Sequence, residues 1–292
     1  MLSRFLTRLI DAQARWARPF GDLNHRWLSA LFKPMRFLKD FLNGKWLGHP
    51  LHAVITDVAI GSFTMVVVFD LLDVRNAADI ALWFGLLAFV GAVAAGFADF
   101  TDTDGRARMV ATVHLSVMLL AGLVYLVSGL LRLGNPVDRT LPIVLEFVGY
   151  GLITIGGYLG GEVAYTLGNM VNRHAWRFWG DATWQALNVT EVREGVLTKA
   201  KAGAQSLVLV RQGDTIHALH DVCAHAGGTL SDGFLVDGCV ECPLHQSRYE
   251  LSTGHRTAGP TTYDQPRYEV RAKEGGGFEA LRVSSGSARP GG

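Results

Sequence analysis

Cysteine is scarce in this chain, with only Cys223, Cys239 and Cys242 among 292 residues. So few cysteines cannot build the disulfide framework that stabilises many small secreted domains, and two of the three are candidate metal ligands for reasons given below. The sequence therefore predicts a protein that folds without disulfides, as is usual in a reducing compartment.

Charged residues are also few, at 18% of the chain, whereas apolar residues make up 49% and the mean hydropathy is +0.21. This composition is too apolar for a typical soluble protein. The formal net charge of +1 averages a basic N-terminal arm with a slightly acidic C-terminal part. It does not indicate a nucleic-acid partner, and we expect none.

The apolar residues are concentrated in four long runs. Residues 80–97, 110–131 and 143–161 are nearly free of charge, and residues 53–72 contain two aspartates. Because a helix needs about 20 apolar residues to span a bilayer, these runs predict four transmembrane helices. The alternative is four buried helices in a soluble core, which so short a chain could hardly cover.

The predicted fold class is therefore multidomain, with an α-helical four-helix transmembrane bundle followed by an all-β domain. The N-terminal arm has the apolar stripes and basic residues of amphipathic helices that lie on a membrane surface, or that pack on a partner protein. Short β-rich runs separated by Gly and Asp turns follow residue 184. The expected divisions are surface helices at 1–45, a transmembrane domain at 46–175, an all-β domain at 183–284 and a disordered tail at 285–292.

The distribution of positive charge predicts an orientation. Four spans place residues 1–45, the loop at 99–108 and the chain after the fourth span on one side. That side has nine Lys or Arg in residues 1–45 alone, whereas the other side has Arg75, Arg132 and Arg139. Because positive loops stay in the cytoplasm, we expect both termini and the all-β domain to be cytoplasmic.

One thiol and one imidazole are paired twice in the C-terminal part. Cys223 and His225 form a CxH pair, and Cys242 and His245 form a CxxH pair after sixteen intervening residues. Two thiolates and two imidazoles can hold an iron–sulfur cluster of raised potential, or a structural zinc ion. Zinc fingers usually pair Cys with Cys and His with His, so this spacing favours the cluster.

The stretches CAHAGGTLSDG, VECPLHQSRYEL and AGP at 258–260 resemble a Rieske [2Fe–2S] domain of the ferredoxin type. The resemblance implies that Cys223 and Cys242 bind one iron, that His225 and His245 bind the other, and that both histidine ring edges face solvent. Two residues match the loop that covers the cluster in this family: Gly259 and Pro260.

The chain departs from respiratory Rieske proteins at two positions and matches high-potential members at two others. Gly228 and Leu244 stand where those proteins have an additional pair of disulfide-bonded cysteines. Ser247 and Tyr249 stand where high-potential members donate hydroxyl hydrogen bonds to the cluster sulfurs, and such bonds raise the reduction potential. These residues indicate a ferredoxin-type cluster of intermediate potential.

The third cysteine, Cys239, lies in an apolar run. We expect it to be a buried strand residue, since a free cysteine usually packs as a small hydrophobe. The alternative is a redox or zinc role for the CxxC pair that it forms with Cys242.

Ionisable residues in spanning helices are costly and often functional. In an up-and-down bundle, five of them fall near the cytoplasmic end: His52, Asp57, Asp99, His114 and Glu162. Three interpretations remain open. His52 and His114 could ligate a b-type haem, the group could exchange protons with a quinone, or it could be a polar, hydrogen-bonded bundle end.

The membrane half also resembles a known family. GHPLHAVITDVAIG at 48–61, AAGFADF at 94–100, His114 and GGYLGGEVAYTLG at 156–168 resemble a bacterial family of four-helix membrane proteins that is sometimes fused to a Rieske domain. Its members often have His at the position of Glu162. The resemblance implies a bacterial inner membrane location and an architecture rather than a reaction.

Together these patterns predict a membrane-anchored, Rieske ferredoxin-like carrier of single electrons that serves a redox partner protein. The alternative is a quinone- or haem-linked oxidoreductase in which the bundle holds a second redox site. A terminal oxygenase is not expected. That chemistry needs a mononuclear iron held by two His and a carboxylate, and only His255 follows His245.

Overall fold

The computed structural model describes residues 2–134, 136–175 and 183–283. The chain divides into two compact units, Met1–Asn169 and Met170–Gly292. The first unit is helical and the second is rich in β-strands, so the predicted fold class is confirmed. The predicted disordered tail at 285–292 lies outside the described residues.

The first unit contains three N-terminal helices and four longer ones. Their bounds are α1 (Leu2–Ala12), α2 (Ala14–Phe32), α3 (Arg36–Leu42), α4 (Leu51–Leu71), α5 (Arg75–Phe100), α6 (Gly105–Arg132) and α7 (Thr140–Gly161). A π-helical segment, Glu162–Thr166, continues α7. Helices α4 to α7, the last with its extension, are long and apolar enough to cross a membrane by length and composition.

The four long helices pair as two hairpins, α4 with α5 and α6 with α7. Aromatic residues fill the seam between the hairpins, where Phe63 of α4 stacks on Tyr125 of α6 with ring centroids 3.9 Å apart. A Cβ added to Gly122 would lie 2.4 Å from the Phe89 ring. Glycine is therefore needed where α5 and α6 approach each other.

The N-terminal helices pack on the bundle with their small residues and turn large ones outward. Ala17 is fully buried, and a Cβ on Gly21 would lie 2.4 Å from Thr112 Oγ1 of α6. On the outer surface, Trp27 is 70% exposed and Phe37 is 88% exposed. Exposed aromatic residues beside basic ones are typical of helices at a membrane surface.

Polar contacts hold α3 to the end of α5. Asn43 donates a hydrogen bond to Asp99 Oδ1 at 2.8 Å, and Lys39 forms a 2.6 Å ion pair with Asp102. Burial raises the pKa of Asp102 to about 6, although Lys39 opposes the shift. The N-terminal arm is thus tied to the bundle by charge as well as by packing.

At the opposite end of the bundle, a buried ion-pair cluster joins all four long helices. The Arg132 side chain at the end of α6 is 1% exposed. Its guanidinium donates to Glu146 of α7 at 2.7 Å, to Asp70 of α4 at 3.0 Å and to Asp79 of α5 at 3.3 Å. Arg139 adds a second guanidinium, 2.8 Å from Asp79. Sequence analysis missed this cluster, whose signal was the presence of charged residues at the ends of apolar runs.

We expect Arg132→Met to destabilise the bundle by on the order of 3 kcal/mol, or roughly 10 °C in Tm, because it leaves buried carboxylates without their partner. Thermal unfolding in detergent, followed by circular dichroism, measures the effect. Arg75→Met is the matched control, since the Arg75–Asp73 pair is exposed. Equal Tm values for the two variants would contradict a stabilising role for the cluster.

The second unit contains two antiparallel sheets. Its described strands are β1 (Gln185–Ala186), β2 (Thr198–Ala202), β3 (Gln205–Gln212), β4 (Thr215–His220), β5 (Phe234–Val236), β6 (Cys239–Glu241), β7 (Arg248–Glu250), β8 (Arg256–Ala258), β9 (Arg267–Ala272) and β10 (Phe278–Arg282). One sheet has the order β1-β10-β9-β4-β3-β2, and the other has the order β5-β6-β7-β8. The smaller sheet presents the turn between β6 and β7, which carries the CxxH pair.

Candidate functional site

Two loops of the second unit carry the predicted ligands, and they close in the same way. The first follows β4, where the Cys223 N–H donates to Gly228 O at 2.8 Å. The second joins β6 to β7, where the Cys242 N–H donates to Ser247 O at 2.8 Å. A return bond links the fourth residue after each cysteine to that cysteine's carbonyl. Each loop therefore holds its Cys and His at a fixed spacing.

The structure brings the predicted ligands together as two pairs, the thiols of Cys223 and Cys242 and the imidazoles of His225 and His245. Cys223 and Cys242 are each 1% exposed. The rings of His225 and His245 are nearly perpendicular, at 88°, with centroids 5.1 Å apart. A metal–imidazole bond is about 2.1 Å and the centroid lies roughly 1.1 Å behind the nitrogen, so two rings on one tetrahedral metal stand about 5.2 Å apart. The pair of histidines has the spacing expected for two ligands of one ion.

The two thiols interact strongly. The hydrogen bond with Cys242 is the main influence that lowers the pKa of Cys223 to about 7, and the same contact raises the pKa of Cys242. The proton between the sulfurs is therefore held mainly by Cys242. A cationic iron would be needed to hold both as thiolates, because metal ligation requires deprotonated cysteine.

The surroundings of the thiols fit a [2Fe–2S] cluster. The Tyr249 hydroxyl lies 3.1 Å from Cys223 Sγ, and burial raises the pKa of Tyr249, so it stays a donor. Ser247 Oγ is buried and has no hydrogen-bond partner among the described residues. A Cβ on Gly228 would lie 2.8 Å from Cys242 Sγ. One hydroxyl thus contacts a candidate ligand, and a second is a donor that a cluster sulfide would satisfy.

His225 departs from expectation. We predicted that both histidine ring edges face solvent, but His225 is 2% exposed, and this prediction is wrong for it. Its Nε2 lies 3.3 Å from Met170 Sδ, and Tyr263 donates to Met170 O at 3.1 Å. His245 is half-buried. Exposure of the two ligand histidines is therefore unequal.

Two residues that sequence analysis missed hold the first ligand loop. The side chain of Gln265, fully buried, donates to Val222 O at 2.7 Å and accepts from Ala224 N at 3.0 Å. Asp221 accepts from Ser231 N at 2.8 Å. Gln265 lies far along the chain from the loop that it holds, and Asp221 bonds to a residue outside the CxH pair, so neither contact has a spacing that the sequence shows.

The loop with Gly259 lies directly against the second ligand loop. Gly259 has a φ of +84°, and a Cβ there would lie 2.5 Å from Gln246 O, so glycine is required. Pro260 is buried beside it.

Cys239 is a buried residue of β6, and its sulfur lies 3.5 Å from Thr257 Oγ1. This is the strand position expected for it.

The bundle brings together some of its predicted site residues. The rings of His52 and His114 have centroids 6.3 Å apart. Asp99 is bound by Asn43, and Glu162 accepts from Arg106 at 3.3 Å. Asp57 does not join them. Its side chain is exposed on the outer surface of α4.

Comparisons with known proteins agree with this geometry. The model of the Rieske [2Fe-2S] domain matches residues 183–269, and that of a predicted membrane protein family (DUF2231) matches residues 48–173. Site and fold together define a two-cysteine, two-histidine iron–sulfur protein fused to a helical bundle. The chain belongs to the Rieske [2Fe–2S] family, and its cofactor is a Rieske-type cluster.

Several relatives are ferredoxins. The anthranilate 1,2-dioxygenase ferredoxin subunit of Burkholderia cepacia is 37% identical over 32% of this chain and 88% of its own length. The naphthalene 1,2-dioxygenase ferredoxin component of Pseudomonas putida is 30% identical over 34% and 89%. Among solved structures, the ferredoxin of carbazole 1,9a-dioxygenase from Nocardioides aromaticivorans is 27% identical over 36% and 98%, with a TM-score of 0.30.

Tyr249→Phe should lower the reduction potential of the cluster. The hydrogen bond from the Tyr249 hydroxyl to Cys223 Sγ stabilises the reduced cluster by about 1 kcal/mol. Its loss should therefore lower the reduction potential by roughly 40 mV for one electron. A redox titration followed by EPR measures the shift. Tyr268→Phe is the control, because Tyr268 is also buried but belongs to β9. An unchanged potential in Tyr249→Phe would exclude the bond.

Proposed function

We propose that this protein is a membrane-anchored electron carrier whose Rieske cluster lies on the cytoplasmic face. The observation that carries the proposal is the convergence of two buried thiols with two imidazoles whose centroids are 5.1 Å apart. Cys223 and Cys242 would hold one iron, and His225 and His245 the other. A cluster so ligated accepts and releases one electron.

Structural zinc is the competing interpretation of the same ligands. The Ser247 hydroxyl favours the cluster, since it is buried and has no hydrogen-bond partner among the described residues. A zinc ion would already be saturated by the four ligands and would offer this hydroxyl no acceptor, whereas Tyr249 would keep Cys223 Sγ as its acceptor in either case. Sulfide ions of a cluster would accept hydrogen bonds from such donors.

The relatives support a carrier role. Those named above are ferredoxin components or subunits of dioxygenase systems. By analogy, we propose that a reductase or an electron acceptor docks on the surface at His245, the more exposed of the two histidines. Leu244, beside it, is 52% exposed and offers an apolar contact.

The bundle would anchor the carrier in the inner membrane as a multi-pass protein. Support comes from four sufficiently long apolar helices and from the match to a predicted membrane protein family. The excess of Lys and Arg in residues 1–45 favours cytoplasmic termini. A quinone- or haem-linked oxidoreductase is the second candidate function, and the close approach of His52 and His114 favours it.

Vesicles of opposite orientation test the proposal. A reductant that cannot cross the membrane should produce the EPR signal of the reduced cluster in inside-out vesicles, where the cytoplasmic face is outward. In right-side-out vesicles, the signal should appear only after a permeant mediator is added. Vesicles opened with detergent provide the control for cluster content. Direct reduction in right-side-out vesicles would contradict the proposed orientation.

A further inference from the structure

The two hairpins of the bundle repeat one arrangement around a histidine. His52 of α4 donates its Nδ1–H to Ala92 O of α5 at 2.8 Å. His114 of α6 donates its Nδ1–H to Gly156 O of α7, also at 2.8 Å. In both hairpins, the ring lies in the first half of the first helix and is fixed by a backbone carbonyl of the second.

The repeat extends to a glycine four residues after each accepting carbonyl. A Cβ on Gly96 would lie 3.0 Å from His52 Cε1, and one on Gly160 would lie 3.3 Å from His114 Cε1. Either methyl group would press on the imidazole. Glycine at both places therefore leaves the space in which each ring sits.

These contacts decide which nitrogen of each ring is available. A carbonyl can only accept, so Nδ1 carries the proton and Nε2 of a neutral ring keeps its lone pair. Neither Nε2 has a hydrogen-bond partner among the described residues. Donation of one ring N–H to a backbone carbonyl is the usual way in which proteins orient a metal-ligating histidine.

The spacing of the two rings differs from that in the Rieske site in an informative way. Their centroids are 6.3 Å apart, with ring planes at 84°. Two imidazoles that ligate one metal from opposite sides have centroids about 6.4 Å apart, whereas a tetrahedral metal brings them to about 5.2 Å. The separation of His52 and His114 is that of opposite, axial ligands.

We propose that His52 and His114 are the axial ligands of a b-type haem bound between the two hairpins. Among the described residues, His52 and His114 are the two metal-binding side chains that meet here, and Asp99 and Glu162 are engaged by Asn43 and Arg106, so a bare metal ion would lack ligands. A porphyrin supplies the other four nitrogens itself. The positions of α5 and α7 in contact with these rings are small, namely Ala92 and Gly96 on α5 and Gly156 and Gly160 on α7, so both backbones approach the rings closely.

A quinone suits this place less well. Its carbonyl oxygens need donors, but both Nδ1–H groups are already bonded to the backbone. The two nearby acids are also engaged, Asp99 with Asn43 and Glu162 with Arg106. The lone pairs on Nε2 of His52 and His114 remain, and an imidazole lone pair is a metal ligand.

The test uses the full-length protein, purified in detergent after expression with a supply of haem precursor. A pyridine haemochrome assay should find one haem per chain, and the reduced protein should show the sharp visible bands of low-spin, six-coordinate haem. His52→Ala and His114→Ala should each lose the low-spin bands. His49→Ala is the matched control, because His49 is exposed at the start of the same region.

A second pair of variants separates ligation from folding. Gly160→Ala should weaken haem binding by about tenfold, since misplacing a held ligand typically costs 10–100-fold in affinity. Gly157→Ala should leave it unchanged, because its Cβ would meet no atom within 4 Å. Protein without haem, or low-spin bands that survive in both histidine variants, would overturn the proposal. Bound quinone in haem-free protein would favour the other cofactor.

The proposal of a haem site and the proposal of a carrier function can be contradicted independently. The haem ligands lie in the first unit and the cluster ligands in the second. The EPR signal of the reduced Rieske cluster should therefore persist in His52→Ala and His114→Ala. Loss of the cluster signal together with the haem bands would contradict two independent sites.

Discussion

The C-terminal site depends on one constraint, the backbone closure of two short loops. In each loop, a cysteine N–H is bonded to the carbonyl five residues further on, which fixes a thiol and an imidazole on the same side. Gln265 then holds the first loop from a distant part of the chain. Because these backbone bonds fix both loops without a metal, little ordering is left for metal binding to provide.

The bundle also orients its histidines through backbone hydrogen bonds, with helices in place of loops. There the helices themselves are the rigid frame, and carbonyls of α5 and α7 orient the two histidines. The cluster of Arg132 with three carboxylates ties all four helices at the far end. One end of the bundle is thus held by charge, while the other presents paired imidazoles. Two histidine pairs in one chain, at 5.1 and 6.3 Å, are spaced for different coordination geometries.

Much of this could be predicted from the sequence. The CxH and CxxH pairs predicted which thiols and which imidazoles pair in the structure because their spacing is local, and apolar runs predicted the four helices because their length is set by a bilayer. The support of Gln265, the burial of His225 under Met170 and the cluster at Arg132 could not be predicted. Each of these three contacts joins residues that are far apart in the chain, so no sequence spacing predicts it. Residues close in sequence can also lie apart in the structure. Asp57 is only five positions after His52, yet its side chain is exposed on the outer surface of α4 and does not join the His52 ring.

The proposed function depends on a Rieske cluster held by the four Cys and His side chains. Low-temperature EPR of the purified, reduced protein, with iron and zinc measured in the same sample, tests for this cluster. We expect a rhombic signal typical of a two-histidine cluster and two irons per chain once any haem iron is subtracted. Colourless protein with one zinc and no such signal would contradict it.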